Sequence, residues 1–252
     1  MMAKPRVTFL IGGVQKGGTT ALASFLARHP MLELPAKKEA HVFDSPEFDD
    51  DWAPEQVDQR YDGCFQRSEG VLHGDATPIY LFHPILVRRI AAYNPEMKWI
   101  VILRHPLERA LSQYHMERCR GLETWPLLPA LLLERWRLRG HEDDFSPDSP
   151  LRRHSYRARG DYARQLDVLF SHFPARQVLL LRNEQLALQP DETLEKACQF
   201  LGVEPMATDL EYPRVFENNY PRVDKGGLHW AALLWLFKRS IERLDRGYGI
   251  RW

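Results

Sequence analysis

The sequence predicts an α/β fold, a single domain over residues 1–252 with a central parallel sheet flanked by helices. Apolar runs of strand length occur at Val7–Gly12, Lys98–Arg104 and Gln177–Arg182. The stretches after the first two runs, and Pro190–Leu201, have the pattern of amphipathic helices. Strands that alternate with helices are typical of a parallel sheet covered on both faces, and 252 residues are enough for one such domain.

The first run leads into a glycine loop and a helix. "VTFLIG" is rich in β-forming residues, and Thr19 and Thr20 are suited to begin the helix that follows. His29-Pro30 is expected to end that helix because proline disfavours helical backbone at the residue before it. The order strand, glycine loop, helix is therefore predicted at the start of the chain.

The later elements follow the same logic. After "KWIVILR", His105-Pro106 breaks the strand and places proline in the first turn of the helix "LERALSQYHMER". "QVLLLR" is the third strand, and Gly202 is expected to end the helix that begins at Pro190. From Trp230 to Tyr248, apolar residues recur at spacings of three and four, which predicts a helix packed on the protein's own core.

Composition and charge narrow the class of protein. Lys and Arg number 34, as do Asp and Glu, so net charge gives no indication of a nucleic-acid partner. The three cysteines form no C-x-x-C pair, which favours a reducing compartment over a disulfide framework or a zinc site. "WAALLWLF" is far shorter than the about 20 apolar residues that span a bilayer. A cytoplasmic protein without a transmembrane segment is expected.

The stretch "GGVQKGGTTAL" is similar to a phosphate-binding loop whose lysine is displaced. A triphosphatase loop reads G-x-x-x-x-G-K-[ST], whereas here Gly18 fills the lysine position and Lys16 comes early. Backbone N–H groups and hydroxyls at the start of a helix are suited to bind an anion. The candidate anion-binding residues are Gly17, Gly18, Thr19 and Thr20. The pattern predicts a P-loop-like nucleotide-binding architecture.

The end of the second strand argues against metal-dependent phosphoryl transfer. A triphosphatase needs a strand-end carboxylate to help hold Mg²⁺, but this strand ends in Arg104. The arginine fork, with the Ser112 hydroxyl eight residues later, suits a second phosphate. The pattern predicts a nucleotide with two separate phosphates and no metal.

These two elements resemble those of sulfotransferases that use 3′-phosphoadenosine-5′-phosphosulfate (PAPS). "VQKGGTTAL" is similar to their loop for the 5′-phosphosulfate, and "VILRHPLERALSQY" is similar to their 3′-phosphate element. The likeness is closest to bacterial relatives of the heparan sulfate sulfotransferase group. It implies transfer of a sulfuryl group from PAPS to an acceptor hydroxyl, with release of adenosine 3′,5′-bisphosphate and without a metal.

Such a reaction gives the displaced lysine a role. Charge develops on the bridging oxygen of the departing phosphate, and Lys16 is placed to stabilise it. Later in the chain, "DKGGLHW" resembles the loop that closes over the 3′-phosphate, where Lys-Gly-Arg is usual. Because Gly227 replaces the arginine, only Lys225 and Gly226 are expected to contribute there.

On the acceptor side, "KKEAHVFD" resembles the segment that carries the family's catalytic glutamate. Glu39 and His41 are two residues apart, so in an extended chain both side chains would point the same way. Either could accept the proton of the acceptor hydroxyl. The resemblance favours Glu39 as the base with His41 in support, and Asp44 is interpreted as structural.

"GDATPIYLF" resembles a segment that borders the acceptor in the same family. Ala76 stands where the heparan sulfate enzymes have a lysine, which argues against a polyanionic sugar, and Asp75 is a candidate to face the cleft. The expected partner is a small-molecule, lipid or carbohydrate acceptor with a hydroxyl group. Neither the acceptor's identity nor an oligomeric state follows from the sequence.

Two alternatives stay open. One is a P-loop kinase of a small molecule that uses Mg-ATP, although the missing lysine and strand-end carboxylate count against it. The other is a non-catalytic nucleotide-binding module, against which the presence of both Lys16 and Glu39 counts.

Overall fold

The computed structural model of the protein describes residues 6–67, 70–206 and 228–252. These residues form two compact units. The first comprises the described residues up to 104 together with 167–206, and the second comprises 105–166 and 228–252. Compactness alone does not show whether two units fold independently, so the single domain over residues 1–252 stays a prediction.

The first unit contains a five-stranded parallel sheet, which confirms the predicted fold class. Its strands are β1 (Val7–Gly13), β2 (Leu32–Glu33), β3 (Leu72–Asp75), β4 (Lys98–Leu103) and β5 (Val178–Arg182). They lie in the order β2-β3-β1-β4-β5. The predicted runs become β1, β4 and β5, whereas β2 and β3 are too short to show an apolar pattern.

Helices follow the strands as the alternating pattern predicts. In chain order they are α1 (Thr19–Leu26), α2 (Pro54–Arg60), α3 (Pro84–Tyr93), α4 (Pro106–Cys119), α5 (Leu127–Leu132), α6 (Glu134–Leu138), α7 (Pro150–His154), α8 (Tyr162–His172), α9 (Asn183–Leu188), α10 (Pro190–Leu201) and α11 (Leu228–Tyr248). Short 3₁₀ turns lie at Ala158–Gly160 and Ala175–Gln177. Gly202 ends α10 in the left-handed conformation, as predicted.

Each unit has its own apolar core. In the first, α1 and α10 pack on the central strands through residues such as Leu22, Ile100 and Leu201. In the second, α11 buries Leu233 and Phe237 in a core that also contains residues of α4 and α5. The predicted packing of the C-terminal stripe on the protein's own core is therefore confirmed. Across the described ranges, no helix is both long and apolar enough to cross a membrane.

The parallel sheet determines where side chains can meet. All five strands run in the same direction, so their carboxyl ends lie along one edge. In open α/β sheets, ligands bind outside this edge. The glycine loop, the segment that carries Glu39, Arg104 and Asn183 follow strand ends at this edge, and Asp75 is the last residue of β3.

Candidate active site at the carboxyl edge of the sheet

The glycine loop connects β1 to the N-terminus of α1. Gly18 occupies the N-cap position with a φ of 107°. Because glycine has no side chain, the helix has no side-chain cap at this end. Thr19 is thus the first helical residue rather than the cap, and it is buried. An uncapped helix N-terminus presents backbone N–H donors and a positive partial charge. Such a helix start is suited to bind an anion.

Close packing explains the two consecutive glycines. A Cβ at residue 17 would lie 2.4 Å from the Ile102 carbonyl oxygen, and one at residue 18 would lie 2.5 Å from Asn183 Nδ2. The Gly17 N–H donates to the Val14 carbonyl at 2.9 Å. This donor is used inside the turn, and the lack of a side chain at Gly17 permits the tight path of the loop. A contact between Gly17 and the anion stays a prediction.

The ends of the neighbouring strands hold the loop in place. Val14 N–H donates to the Ile102 carbonyl at 3.1 Å, and Arg104 Nη1 lies 3.5 Å from the Lys16 carbonyl oxygen. Asn183, the first residue of α9, donates from Nδ2 to the Gly17 carbonyl at 2.8 Å. No sequence motif pointed to Asn183, because it lies 166 positions away from its partner.

Backbone strain is concentrated in the predicted catalytic residues. Among the described residues, the non-glycine residues with positive φ are Lys16 at 66°, Glu39 at 66° and His41 at 55°. The left-handed region is unfavourable for residues with a Cβ. Glu39 and His41 therefore do not lie on extended backbone, which was the condition for their side chains to point the same way.

The side chains of Glu39 and His41 nevertheless meet, in a chain of charged groups. His41 Nε2 lies 3.3 Å from Glu39 Oε2, and His41 Nδ1 lies 2.8 Å from Asp44 Oδ2. Lys38 Nζ donates to Glu39 Oε1 at 2.6 Å. Asp44 is completely buried beneath the imidazole, so the residue interpreted as structural also orients His41.

The surroundings of Glu39 keep it ionised. Burial acts to raise its pKa, but the hydrogen bond from His41 and the positive charge of Lys38 outweigh that effect and lower the pKa to about 2. His41 contacts both neighbouring carboxylates, that of Glu39 through Nε2 and that of Asp44 through Nδ1. The Glu39 carboxylate can accept a proton while Lys38 and His41 keep it in one orientation.

Asp75 lies beneath the segment that carries Glu39 and His41 and contacts its backbone. It ends β3 and is completely buried, so it does not face the cleft as its sequence position suggested. Its carboxylate accepts hydrogen bonds from the Tyr61 and Tyr80 hydroxyls at 3.0 and 2.9 Å and from Thr77 Oγ1 at 2.8 Å. The Ala40 N–H also points at it, at 3.4 Å. Burial raises the pKa of Asp75 despite these donors.

We expect Asp75→Asn to destabilise the protein by about 1 to 3 kcal/mol, because the amide nitrogen cannot accept from a phenol and buried donors lose their partner. Urea unfolding measures this change. Tyr61→Phe removes one donor and keeps the carboxylate, so a smaller loss is expected. Equal stability of Asp75→Asn and the wild type would contradict the anchoring role.

The residues predicted to bind the 3′-phosphate belong to different units. Arg104 directly follows β4 in the first unit. Ser112 lies on α4 in the second unit, where its hydroxyl is buried and has no hydrogen-bond partner within the described residues. An unsatisfied buried hydroxyl is unusual and fits a ligand contact. Lys225 and Gly226 lie outside the described residues.

The carboxylate of Asp75 is hydrogen-bonded to other residues of the protein. β3 ends in Asp75, which is the kind of strand-end carboxylate that a kinase uses for Mg²⁺, but Asp75 is surrounded by its own donors. In the described part of the chain, no group of three or more His, Cys, Asp or Glu residues is arranged to hold a metal ion.

The sequence matches the family described as the sulfotransferase domain over residues 7–213. Mouse heparan sulfate glucosamine 3-O-sulfotransferase 6 is 31% identical over 204 residues, which are 81% of this chain and 54% of that protein. Human heparan sulfate glucosamine 3-O-sulfotransferase 3B1 is 30% identical over 207 residues, with 81% and 48% covered. The chain thus spans about half the length of these relatives.

One solved structure is similar over most of the chain. The crystal structure of a sulfotransferase from Alicyclobacillus acidocaldarius has a TM-score of 0.73 and 29% identity, and the match covers 96% of this chain and 95% of that one. The resemblance seen in the glycine loop and the Arg104 element is confirmed by these matches, which favour the sulfotransferase class over the kinase alternative. The chain belongs to the sulfotransferase domain family.

Proposed function

We propose that this protein transfers a sulfuryl group from PAPS to the hydroxyl of an acceptor and releases adenosine 3′,5′-bisphosphate. One observation carries the proposal: the non-glycine residues with positive φ among the described residues are Lys16, Glu39 and His41, the three residues predicted to act in the chemistry. Each such position costs about 1 to 3 kcal/mol, and strain of this kind clusters at functional sites. Membership of the sulfotransferase domain family supports the same reaction.

The glycine loop would hold the 5′ end of the donor. The Gly18 N–H, the first turn of α1 and the Thr19 and Thr20 hydroxyls supply donors for the phosphate oxygens. Lys16 precedes these donors and would stabilise the negative charge that develops on the bridging oxygen as the sulfuryl group departs. The positive φ of Lys16 sets the direction in which its side chain leaves the loop.

Glu39 would take the proton of the acceptor hydroxyl. Its carboxylate is ionised, and it is held between Lys38 and His41. A general base must lie within hydrogen-bond reach of the proton that it removes. His41 and Asp44 keep the carboxylate in one orientation, so they are positioning residues in this proposal.

Arg104 and Ser112 are proposed as ligands of the 3′-phosphate, with Lys225 and Gly226 as further contacts. The guanidinium of Arg104 suits a phosphate because it offers paired N–H donors in a plane. The buried Ser112 hydroxyl supports the assignment, since it lacks a hydrogen-bond partner within the described residues. Phosphate oxygens would supply the missing acceptor.

The acceptor is proposed to be a small molecule, a lipid or a carbohydrate with a free hydroxyl. Two relatives are named for heparan sulfate glucosamine, which is a carbohydrate. Ala76 argues against a polyanionic sugar here, because it is buried and brings no positive charge to the segment 74–82. Nucleic acid is not proposed as a partner, since the formal net charge is zero.

A bacterial cytoplasm is the proposed location. Cys64, Cys119 and Cys198 are free thiols, which suits a reducing compartment. The similarity to the Alicyclobacillus acidocaldarius protein supports a bacterial type. Fractionation of the source cells with an antibody to the protein would test this proposal, and recovery with the periplasm or envelope would contradict it.

Calorimetry with a chelator present tests the donor assignment. We expect adenosine 3′,5′-bisphosphate to bind without metal and Arg104→Ala to weaken binding by about tenfold or more, because a charge-assisted hydrogen bond to phosphate contributes about 1.5 to 3 kcal/mol. Arg88→Ala is the control, since that arginine is 61% exposed on α3. Binding of Mg-ATP but not of the bisphosphate would overturn the proposal in favour of a kinase.

A further inference from the structure

Asn183 has a position that neither the family resemblance nor the proposed mechanism uses. It is the first residue of α9 and directly follows β5, at the edge of the sheet where the donor loop lies. Its side-chain amide donates to the Gly17 carbonyl at 2.8 Å. An added Cβ on Gly18 would lie 2.5 Å from the same nitrogen, so the amide packs directly against the Gly17–Gly18 peptide.

This hydrogen bond fixes the orientation of one peptide plane. The Gly17 carbonyl and the Gly18 N–H belong to the same planar trans unit, in which C=O and N–H point in opposite directions. When Asn183 holds the carbonyl on its side, the Gly18 N–H is directed to the opposite side. Gly18 has a φ of 107° and could rotate easily without such a contact.

The preceding peptide is held in a comparable way. Arg104 approaches the Lys16 carbonyl oxygen, and the Gly17 N–H on the other edge of that plane donates to Val14. The donor of that peptide is therefore used within the loop. The Gly17–Gly18 peptide differs, because its carbonyl is held by a side chain from another strand end while its N–H precedes the uncapped start of α1.

We propose that Asn183 is a positioning residue for the 5′-phosphate of the donor: it holds the Gly17–Gly18 peptide so that the Gly18 N–H faces the anion. The inference rests on the proposed function for the identity of the ligand. Its effect is specific to the 5′ end of the nucleotide. A contact that only joined β5 to the loop would affect stability without distinguishing one phosphate from the other.

Calorimetry of two nucleotides separates these possibilities. Asn183→Asp keeps the shape but removes the donor, and Asn183→Ala removes the donor without adding charge. We expect both variants to bind adenosine 3′,5′-bisphosphate at least about tenfold more weakly than the wild type, because a donor to the anion is misdirected. Binding of adenosine 3′-monophosphate, which lacks the 5′-phosphate, should change less than about twofold.

Asn94→Ala is the matched control. Asn94 Nδ2 donates to the Val7 carbonyl at 3.1 Å, which is the same kind of bond at the opposite end of β1. We expect this variant to lower the melting temperature and to leave binding of both nucleotides unchanged. Equal weakening of both nucleotides in the Asn183 variants, or no weakening of either, would overturn the positioning role.

Failure of the proposed function has a different signature. In that case, wild-type protein would not bind the bisphosphate, and the same variants would be compared with Mg-ATP and adenosine as the two ligands. Loss of Mg-ATP binding alone would keep Asn183 as a positioning residue for a 5′-phosphate in a kinase. Retention of Mg-ATP binding by both variants would reject the role of Asn183 as well.

Discussion

Lys16→Ala is expected to reduce turnover by about 10² to 10³-fold, because removal of one preorganised group that stabilises developing charge has an effect of that size. Lys16 lies in the glycine loop ahead of Gly17 and Gly18, outside the helix that supplies the backbone donors. Binding of adenosine 3′,5′-bisphosphate should therefore weaken far less than turnover. Chromatography measures the effect by quantifying the bisphosphate that is released from PAPS. The reaction contains either an added hydroxyl acceptor or only water as the acceptor.

Lys196→Ala is the control for the loss of one positive charge, since Lys196 is exposed on α10. It should leave both turnover and binding unchanged. Turnover of Lys16→Ala equal to that of the wild type would exclude Lys16 as the stabilising group. Wild-type protein that binds the bisphosphate yet never consumes PAPS with any acceptor would instead be a non-catalytic binding module.

Glu39→Gln is expected to reduce turnover by about 10² to 10⁴-fold, because the amide cannot accept the proton of the acceptor hydroxyl. Binding of the bisphosphate should be unchanged. His41→Asn should have a smaller effect, because Glu39 remains and only its orientation is loosened. A larger loss in His41→Asn than in Glu39→Gln would reverse the two roles.

The pH dependence gives a second test of the same assignment. Glu39 has a pKa lowered to about 2, so its inactive protonated form accumulates only as the pH falls toward that value. Activity should therefore not decline between pH 8 and pH 5 through titration of Glu39. A histidine base would lose activity as the pH falls through the ordinary histidine range near about 6.5. An acid limb there that persists in Glu39→Gln would contradict the proposal.

Long apolar runs made the main strands predictable. β1 and β4 are almost entirely buried and β5 is partly buried, and buried parallel strands read as continuous apolar stretches. β2 has two residues, and β3 reads Leu-His-Gly-Asp, so neither carries a recognisable pattern. Their pairing with each other and with β1 comes from contacts between segments that are distant in the sequence.

Some features of the candidate site were likewise visible in the sequence, and others depend on tertiary contacts. The spacing of glycines around Lys16 and the fork of Arg104 are local patterns, so they were visible in the sequence. The burial of Asp44 beneath His41 and of Asp75 beneath Ala40 was not, because a carboxylate's role depends on what surrounds it in three dimensions. Asp75 looked like a cleft residue and is an internal anchor.

The sequence alone predicted the α/β class, the glycine loop with its displaced lysine and the sulfotransferase resemblance. It also predicted that Lys16, Glu39 and His41 take part in the chemistry. These features depend on short-range spacing and on residue type. Folding added the left-handed backbone of those three residues, the Glu39–His41–Asp44 chain and the contact of Asn183 with Gly17. Such contacts arise because a parallel sheet brings the carboxyl ends of distant strands to one edge, which no local pattern records.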